Sequence, residues 1–168
     1  YGSYPEKEIT MYFLSNDAPD QFYRLTNVPE ASWKFRSLEI AFNKRMSNGW
    51  QLGGSVNFSK NPGNYPVSWQ SSSSFGVFSS ANSFVNGYGE MPYSRPTIIK
   101  LYGTFNLPYQ IMFSFIFQHV DGSPWGRTVR VLPPEQWAAE HNVSSTGYTI
   151  NVETPGTRRN EPYDNLDI

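Results

Sequence analysis

The chain has 168 residues, enough for one ordinary domain, and its 13 basic and 14 acidic residues leave it nearly neutral, without the basic stripe that nucleic acid requires. It has no cysteine, which excludes a disulfide framework, a thiol nucleophile and Cys-ligated zinc. Aromatic residues make up 17% against 16% charged, and 13 Gly and 13 Pro punctuate a sequence almost devoid of helix formers, so the predicted fold class is all-β.

Residues 1–32 read as irregular, with a short strand predicted at Ile9 to Leu14 (ITMYFL) before the turn cluster NDAPD. No basic-then-apolar leader pattern opens the chain, and with no opening Met it is expected to begin mid-protein. A strand is predicted from Trp33 to Arg45, in which Leu38, Ile40 and Phe42 alternate with Glu39, Ala41 and Asn43. Asn48-Gly49 supplies the positive backbone angles of a two-residue hairpin turn. The return strand, Gly49 to Lys60, sets Trp50, Leu52, Val56 and Phe58 against Gln51, Ser55 and Asn57. A period of two over this length means paired strands with one apolar and one polar face.

Residues 61–96 form a long connection rich in Gly, Pro, Ser and Asn, of the kind that in a compact domain is usually functional. Alternation resumes in TIIKLYGTFNLP (97–108), where Ile99, Leu101 and Phe105 oppose Lys100, Tyr102, Thr104 and Asn106. Pro108-Tyr109 turns the chain, and QIMFSFIFQHV (110–120) returns with Ile111, Phe113, Phe115 and Phe117 on one face. A second long irregular stretch, roughly 121–147, contains the only helix candidate, Pro134 to His141 (PEQWAAEH), and leads to GYTINVE and TPGTRRNEPYDNLDI.

Short and long connections therefore alternate, which is the habit of outer-membrane barrels. A transmembrane strand needs about 9–11 residues, and the predicted spans reach that. No run approaches the ~18 apolar residues of a spanning helix. The pattern predicts a segment of an antiparallel up-and-down transmembrane β-barrel, a meander of hairpins with long extracellular loops. Its lipid face would carry Leu38, Ile40, Phe42, Leu52, Val56, Phe58, Ile99, Leu101, Phe105, Ile111, Phe113, Phe115 and Phe117. Its lumen face would carry Glu39, Asn43, Arg45, Gln51, Asn57, Lys100, Tyr102 and Asn106. Trp50 and Tyr109, just past the short turns, suit an interfacial aromatic girdle. The competing architecture is a secreted β-sandwich that binds carbohydrate, in which the same apolar positions line an inner face.

No constellation for catalysis emerges. The two histidines, His119 and His141, lack metal-ligand spacing and read as interfacial or loop residues. Ser71 to Ser74 has no nucleophile elbow around it, and Gly87 and Gly89 lack the strand-to-helix setting of a phosphate cradle. Asp164 and Asp167 are expected to pair with Arg158 or Arg159, and Arg95 and Arg127 to hold loops through carboxylates or to meet surface lipopolysaccharide. Binding is the remaining option. The candidate ligand-binding residues are the loop aromatics Trp69, Tyr88, Tyr93, Trp125 and Trp137, against the plainer expectation that they pack the loops onto the rim.

The segment SWKFRSLEIAFNKRMSNGWQLGGSVNFSK resembles a barrel hairpin of TonB-dependent outer-membrane receptors, especially the large Oar-like type with a carboxypeptidase-regulatory-like domain. VNGYGEMPYSRPTIIKLYGTFNLPYQIMFSFIFQHVDGSPWGR is similar to a later region of the same barrels, and TPGTRRNEPYDNLDI to the opening of one of their last strands. The likeness runs over roughly Phe22 to Ile168, and the order of the motifs carries it. It implies an integral protein of the Gram-negative outer membrane, a receptor and transporter for TonB-energised uptake of a scarce or large nutrient. The implied partners are outer-membrane lipid, the rest of the barrel and its plug, TonB acting through that plug, and the nutrient; no reaction and no cofactor are implied. A complete receptor closes about 22 strands around a plug. This sequence contains no TonB box, no plug and no terminal strand ending in an aromatic residue, so 1–168 is expected to be part of the C-terminal half of the barrel. A porin or adhesin without a plug is the nearest alternative.

Overall fold

A computed structural model describes residues 8–19, 29–64 and 81–168. The first alternating runs form β1 (Arg36–Ser47) and β2 (Trp50–Lys60), and two residues further on β3 (Pro62–Gly63) begins a short ribbon completed by β4 (Gly89–Glu90). The next two runs form β5 (Thr97–Leu107) and β6 (Ile111–Val120). Beyond them lie β7 (Pro124–Trp125), β8 (Thr128–Val131), the α-helix α1 (Glu135–Glu140), β9 (Tyr148–Asn151), β10 (Arg158–Arg159) and β11 (Tyr163–Asp167). The fold is all-β and antiparallel. One five-stranded sheet has the order β1-β2-β5-β6-β11, and three two-stranded ribbons pair β3 with β4, β7 with β10 and β8 with β9.

The sheet is a meander whose two short turns lie at one end and whose long connections leave and rejoin it at the other. At the short-turn end, Asn48 (φ 52) and Gly49 (φ 80) make the two-residue turn that the Asn-Gly pair predicts, and Asn106 N–H ties it to β5 by donating to Gly49 O at 2.7 Å. The second turn is one residue longer than Pro108-Tyr109. It is a 3-10 turn over Pro108–Gln110 in which Tyr109 (φ 64) and Gln110 (φ 61) both take the left-handed conformation. The strand predicted at Ile9 to Leu14 does not form: Tyr12 finds its partners in a side chain, donating its N–H to Asn82 Oδ1 (2.9 Å) and accepting from Asn82 Nδ2 (2.8 Å). Only Ser15 makes a bridge, to Val143.

Register settles which side chains share a face, because directly paired residues of antiparallel strands point the same way. Leu38 pairs with Phe58, Ile40 with Val56 and Phe42 with Gly54, and these rows continue through Ile99, Leu101, Phe117 and Leu166. The opposite face carries Glu39 beside Asn57, Ser55 beside Lys100, Gln51 beside Thr104, and Tyr102 beside Gly53. Gly54 is required by close packing: a Cβ there would lie 2.5 Å from Lys100 O and 2.5 Å from Leu101 Cδ2.

No layer covers the apolar rows among the described residues. Leu38 is 60% exposed, Ile40 58%, Phe58 49% and Ile111 55%. The buried apolar residues Met91, Ala138 and Ile150 lie in the long connections instead. There the ribbons, α1 and residues 8–19 gather as a crown held mainly by hydrogen bonds. Glu90 N donates to Pro155 O (2.8 Å) and Asn86 Nδ2 to Asn151 O (2.8 Å), which ties the first long connection to the second. The sheet does not close on itself, and the outer edges of β1 and β11 have no partner strand among the described residues.

Candidate functional site

Two surfaces carry chemistry, the polar face of the sheet and the crown. On the polar face a concavity of about 670 Å³ opens, floored by β1, β2, β5 and β6 and lined by Glu39, Asn43, Ser55, Lys100, Tyr102 and Gln118. Apolar Ala41 and Ile116 share its lining, and amide and hydroxyl pairs lie elsewhere on the same face. Gln51 Nε2 donates to Thr104 Oγ1 (3.2 Å), Ser114 Oγ to the same Thr104 oxygen (3.2 Å), and Asn57 Nδ2 to Ser37 Oγ (2.7 Å). Of the eight residues expected to line a lumen, Glu39, Asn43, Gln51, Asn57, Lys100, Tyr102 and Asn106 share this face by register. Arg45 falls in the irregular step between Lys44 and Ser47, where the β1–β2 ladder slips and two residues oppose one.

The apolar face has sharp polar limits. At the short-turn end Lys44 shares a row with Leu52, yet its ammonium lies over the Trp50 ring, with Nζ 3.8 Å from the centroid. The ammonium reaches the turn, where it donates to Ser47 Oγ (2.8 Å), Ser47 O (3.2 Å) and Trp50 O (3.1 Å). A long cationic side chain that covers apolar surface and delivers its head to a polar boundary is snorkelling. Reading by alternation alone passed over this residue, although a lysine in an apolar row one turn from a Trp is a legible signal. Next to it Trp50, Phe105, Phe113 and Phe115 form a ring cluster, with Trp50 and Phe105 stacked at 6.2 Å and 8°. From Arg36 to Lys44 the face runs eight residue steps along β1, roughly 26 Å at ~3.3 Å per step.

At the crown end the face terminates in a cluster that sequence reasoning paired differently. Asp164 meets His119, with His119 Nδ1 and Asp164 Oδ1 2.7 Å apart, and Asp121 approaches the other ring nitrogen at 3.5 Å. Asp167 accepts from Asn165 Nδ2 (2.8 Å). Neither aspartate pairs with Arg158 or Arg159, because β10 sits in the crown, away from β11. Arg158 instead grips Glu153 through Nε (2.9 Å) and Nη2 (3.0 Å), and Arg159 donates to Gly122 O (3.2 Å). Glu153 also accepts from Arg127 N (3.1 Å), and the Arg158 fork, followed by these lesser interactions, holds its carboxyl at about 2 against an ordinary value of 4.5. Arg127 Nε lies 4.0 Å from Glu153, as its expected carboxylate role requires, whereas Arg95 donates to the carbonyls of Pro92 and Ser94.

The candidate ligand-binding aromatics do not form one cluster. Trp69 lies outside the described residues. Tyr88 and Tyr93 stand on the first long connection, 47% and 66% exposed, and no ring contact joins either to Trp125 or Trp137 among the described residues. Trp125 lies under the Arg158 guanidinium, 5.4 Å from its ring, and Trp137 stacks on His141 (4.3 Å) and meets Phe13 edge-on (5.5 Å). Trp125 and Trp137 thus make crown contacts, while Tyr93 offers the most open ring. Among the described residues no cluster of three acidic or histidine side chains is arranged to hold a metal ion. No family model matches the chain, and neither any curated protein nor any solved structure matches it.

Proposed function

We propose that the chain is a wall segment of an outer-membrane β-barrel, in a receptor and transporter of the TonB-dependent type that takes up a scarce or large nutrient. One observation carries the reading: among the described residues the five-stranded sheet has a bare apolar face and a concave opposite face, and both long connections leave and rejoin it at one end. In water a bare apolar face is a liability, and a soluble barrel or sandwich turns its apolar side inward. A membrane barrel has the reverse polarity, with an apolar band ~25 Å tall facing lipid and polar side chains facing the lumen. The snorkelling Lys44 beside a stacked aromatic cluster supports one edge of such a band. The likeness of the β1–β2 and β5–β6 hairpins to TonB-dependent receptors supports the finer assignment, and with it a plug, TonB and the outer membrane as partners. The nutrient would meet the crown first, with Tyr88 and Tyr93 as the exposed rings available to it.

Fractionation of cells producing the parent protein tests the proposal. The expected result is recovery in outer membranes and resistance to extraction by alkaline carbonate. Folding of residues 1–168 as a soluble, cooperatively unfolding monomer without detergent would overturn it in favour of a carbohydrate-binding sandwich. A plug domain in the same parent chain separates the receptor from a porin or adhesin that lacks one.

A further inference from the structure

Arg36 and Lys60 face each other directly across the β1–β2 ladder, on the apolar face and at its crown end. The same register continues to Lys34, whose N–H donates to Pro62 O at 2.9 Å, so Lys34 follows Arg36 along that face. Like charges placed directly opposite in a sheet repel. Among the described residues no carboxylate pairs with any of the three. Two acids of the crown are engaged elsewhere: Glu90 accepts from Ser94 Oγ (2.6 Å) and Asn61 N (3.4 Å), and Asp121 from Thr97 N (2.8 Å) while it also faces His119. Around the basic pair lies a hollow of about 440 Å³, lined by Arg36 and Lys60 above and by Leu38 and Phe58 below.

We propose that this hollow binds the phosphate headgroup of an anionic lipid in the membrane leaflet on the crown side. Arg36 and Lys60 would grip the phosphate, and one acyl chain would lie over Leu38 and Phe58. The proposal rests on the membrane reading above and gives it a lipid specificity. Charge complementarity selects the occupant, since Arg36 and Lys60 carry like charge side by side and no carboxylate among the described residues pairs with them. The apolar lower half selects a lipid over free phosphate. A phosphomonoester suits the site best, because its charge of about −1.5 to −2 at neutral pH and its three acceptor oxygens match a guanidinium fork and an ammonium together.

The test uses the parent protein folded in zwitterionic nanodiscs with small, increasing fractions of phosphatidic acid, read by native mass spectrometry for lipid retained on the protein. One tightly retained phosphatidic acid is expected, held better than the singly charged phosphatidylglycerol. Each of Arg36→Gln and Lys60→Gln should weaken retention about five-fold, and the double variant about 25-fold. Arg36→Glu should abolish retention while leaving the protein folded, because it creates an attractive pair with Lys60. Equal retention in the double variant, no preference over phosphatidylglycerol, or displacement by millimolar inorganic phosphate would overturn the site. Protein that inserts but shows no headgroup preference refutes this inference alone; protein that fails to enter the nanodisc refutes the membrane reading and the site with it.

Discussion

Ile40 and Ala41 are neighbours at one depth of β1 and point to opposite faces, so an arginine at each isolates what each face touches. Ile40 is 58% exposed and pairs with Val56; Ala41 pairs with Ser55 beside the polar concavity. If the apolar face met water, Ile40→Arg would remove few protein contacts and change stability by less than ~0.5 kcal/mol, as exposed substitutions do. Against lipid near the bilayer midplane an outward arginine costs about 2–4 kcal/mol. That shifts the folding equilibrium by roughly 30- to 900-fold. Ala41→Arg enters a polar wall next to Glu39 and should stay within ~0.5 kcal/mol. Reversible urea unfolding of the parent protein in lipid vesicles, followed by tryptophan fluorescence, measures both. Equal costs, or a larger cost at Ala41, would refute the assignment of faces.

Gly54→Ala drives a Cβ to 2.5 Å from Lys100 O, so the β5 backbone must shift and a loss of about 1–3 kcal/mol is expected in the same unfolding assay. Gly53→Ala meets only the tip of the Tyr102 ring, at 2.5 Å, which can swing away; its cost should be clearly smaller, and equal costs would contradict the packing described. Gly49→Ala has room around it but must adopt φ near 80, for a loss of about 1–2 kcal/mol measured the same way. Glu153 is held at about 2 against 4.5, so its contribution to the crown is fully present above pH 4.5 and is lost as pH falls toward 2. Trp125, under Arg158, should report this as a fluorescence change over that window, and Glu153→Gln should remove it.

The hairpins were legible in the sequence because strict alternation and Asn48-Gly49 leave one register open, and PEQWAAEH was legible because its apolar and charged residues suit a single helical turn or two. The crown was not. Its ribbons are two to four residues long and its order comes from side-chain amides, as where Asn82 replaces a strand for Tyr12. Contacts such as Arg158 on Glu153 depend on how the long connections fold back, which no periodicity records. Pairing Asp164 with His119 instead of an arginine follows from β6–β11 register, and that register is fixed only once β11 docks. The faces of the sheet were readable; what sits against them depends on solvent, and composition alone admits either membrane or a second sheet.

Residues 1–168 contain no cysteine, so single nitroxide labels can be placed along β2 and β5 of the parent protein in bilayers once any cysteine elsewhere in it is replaced. Collision rates with oxygen, which concentrates in lipid, and with a water-soluble nickel complex test the central claim most directly. The account predicts a two-residue period in opposite phase, with oxygen dominating at 52, 56, 99 and 101 and nickel at 51, 55, 57 and 100. Low access to both reagents at 52, 56, 99 and 101 would place those side chains beneath protein and contradict it.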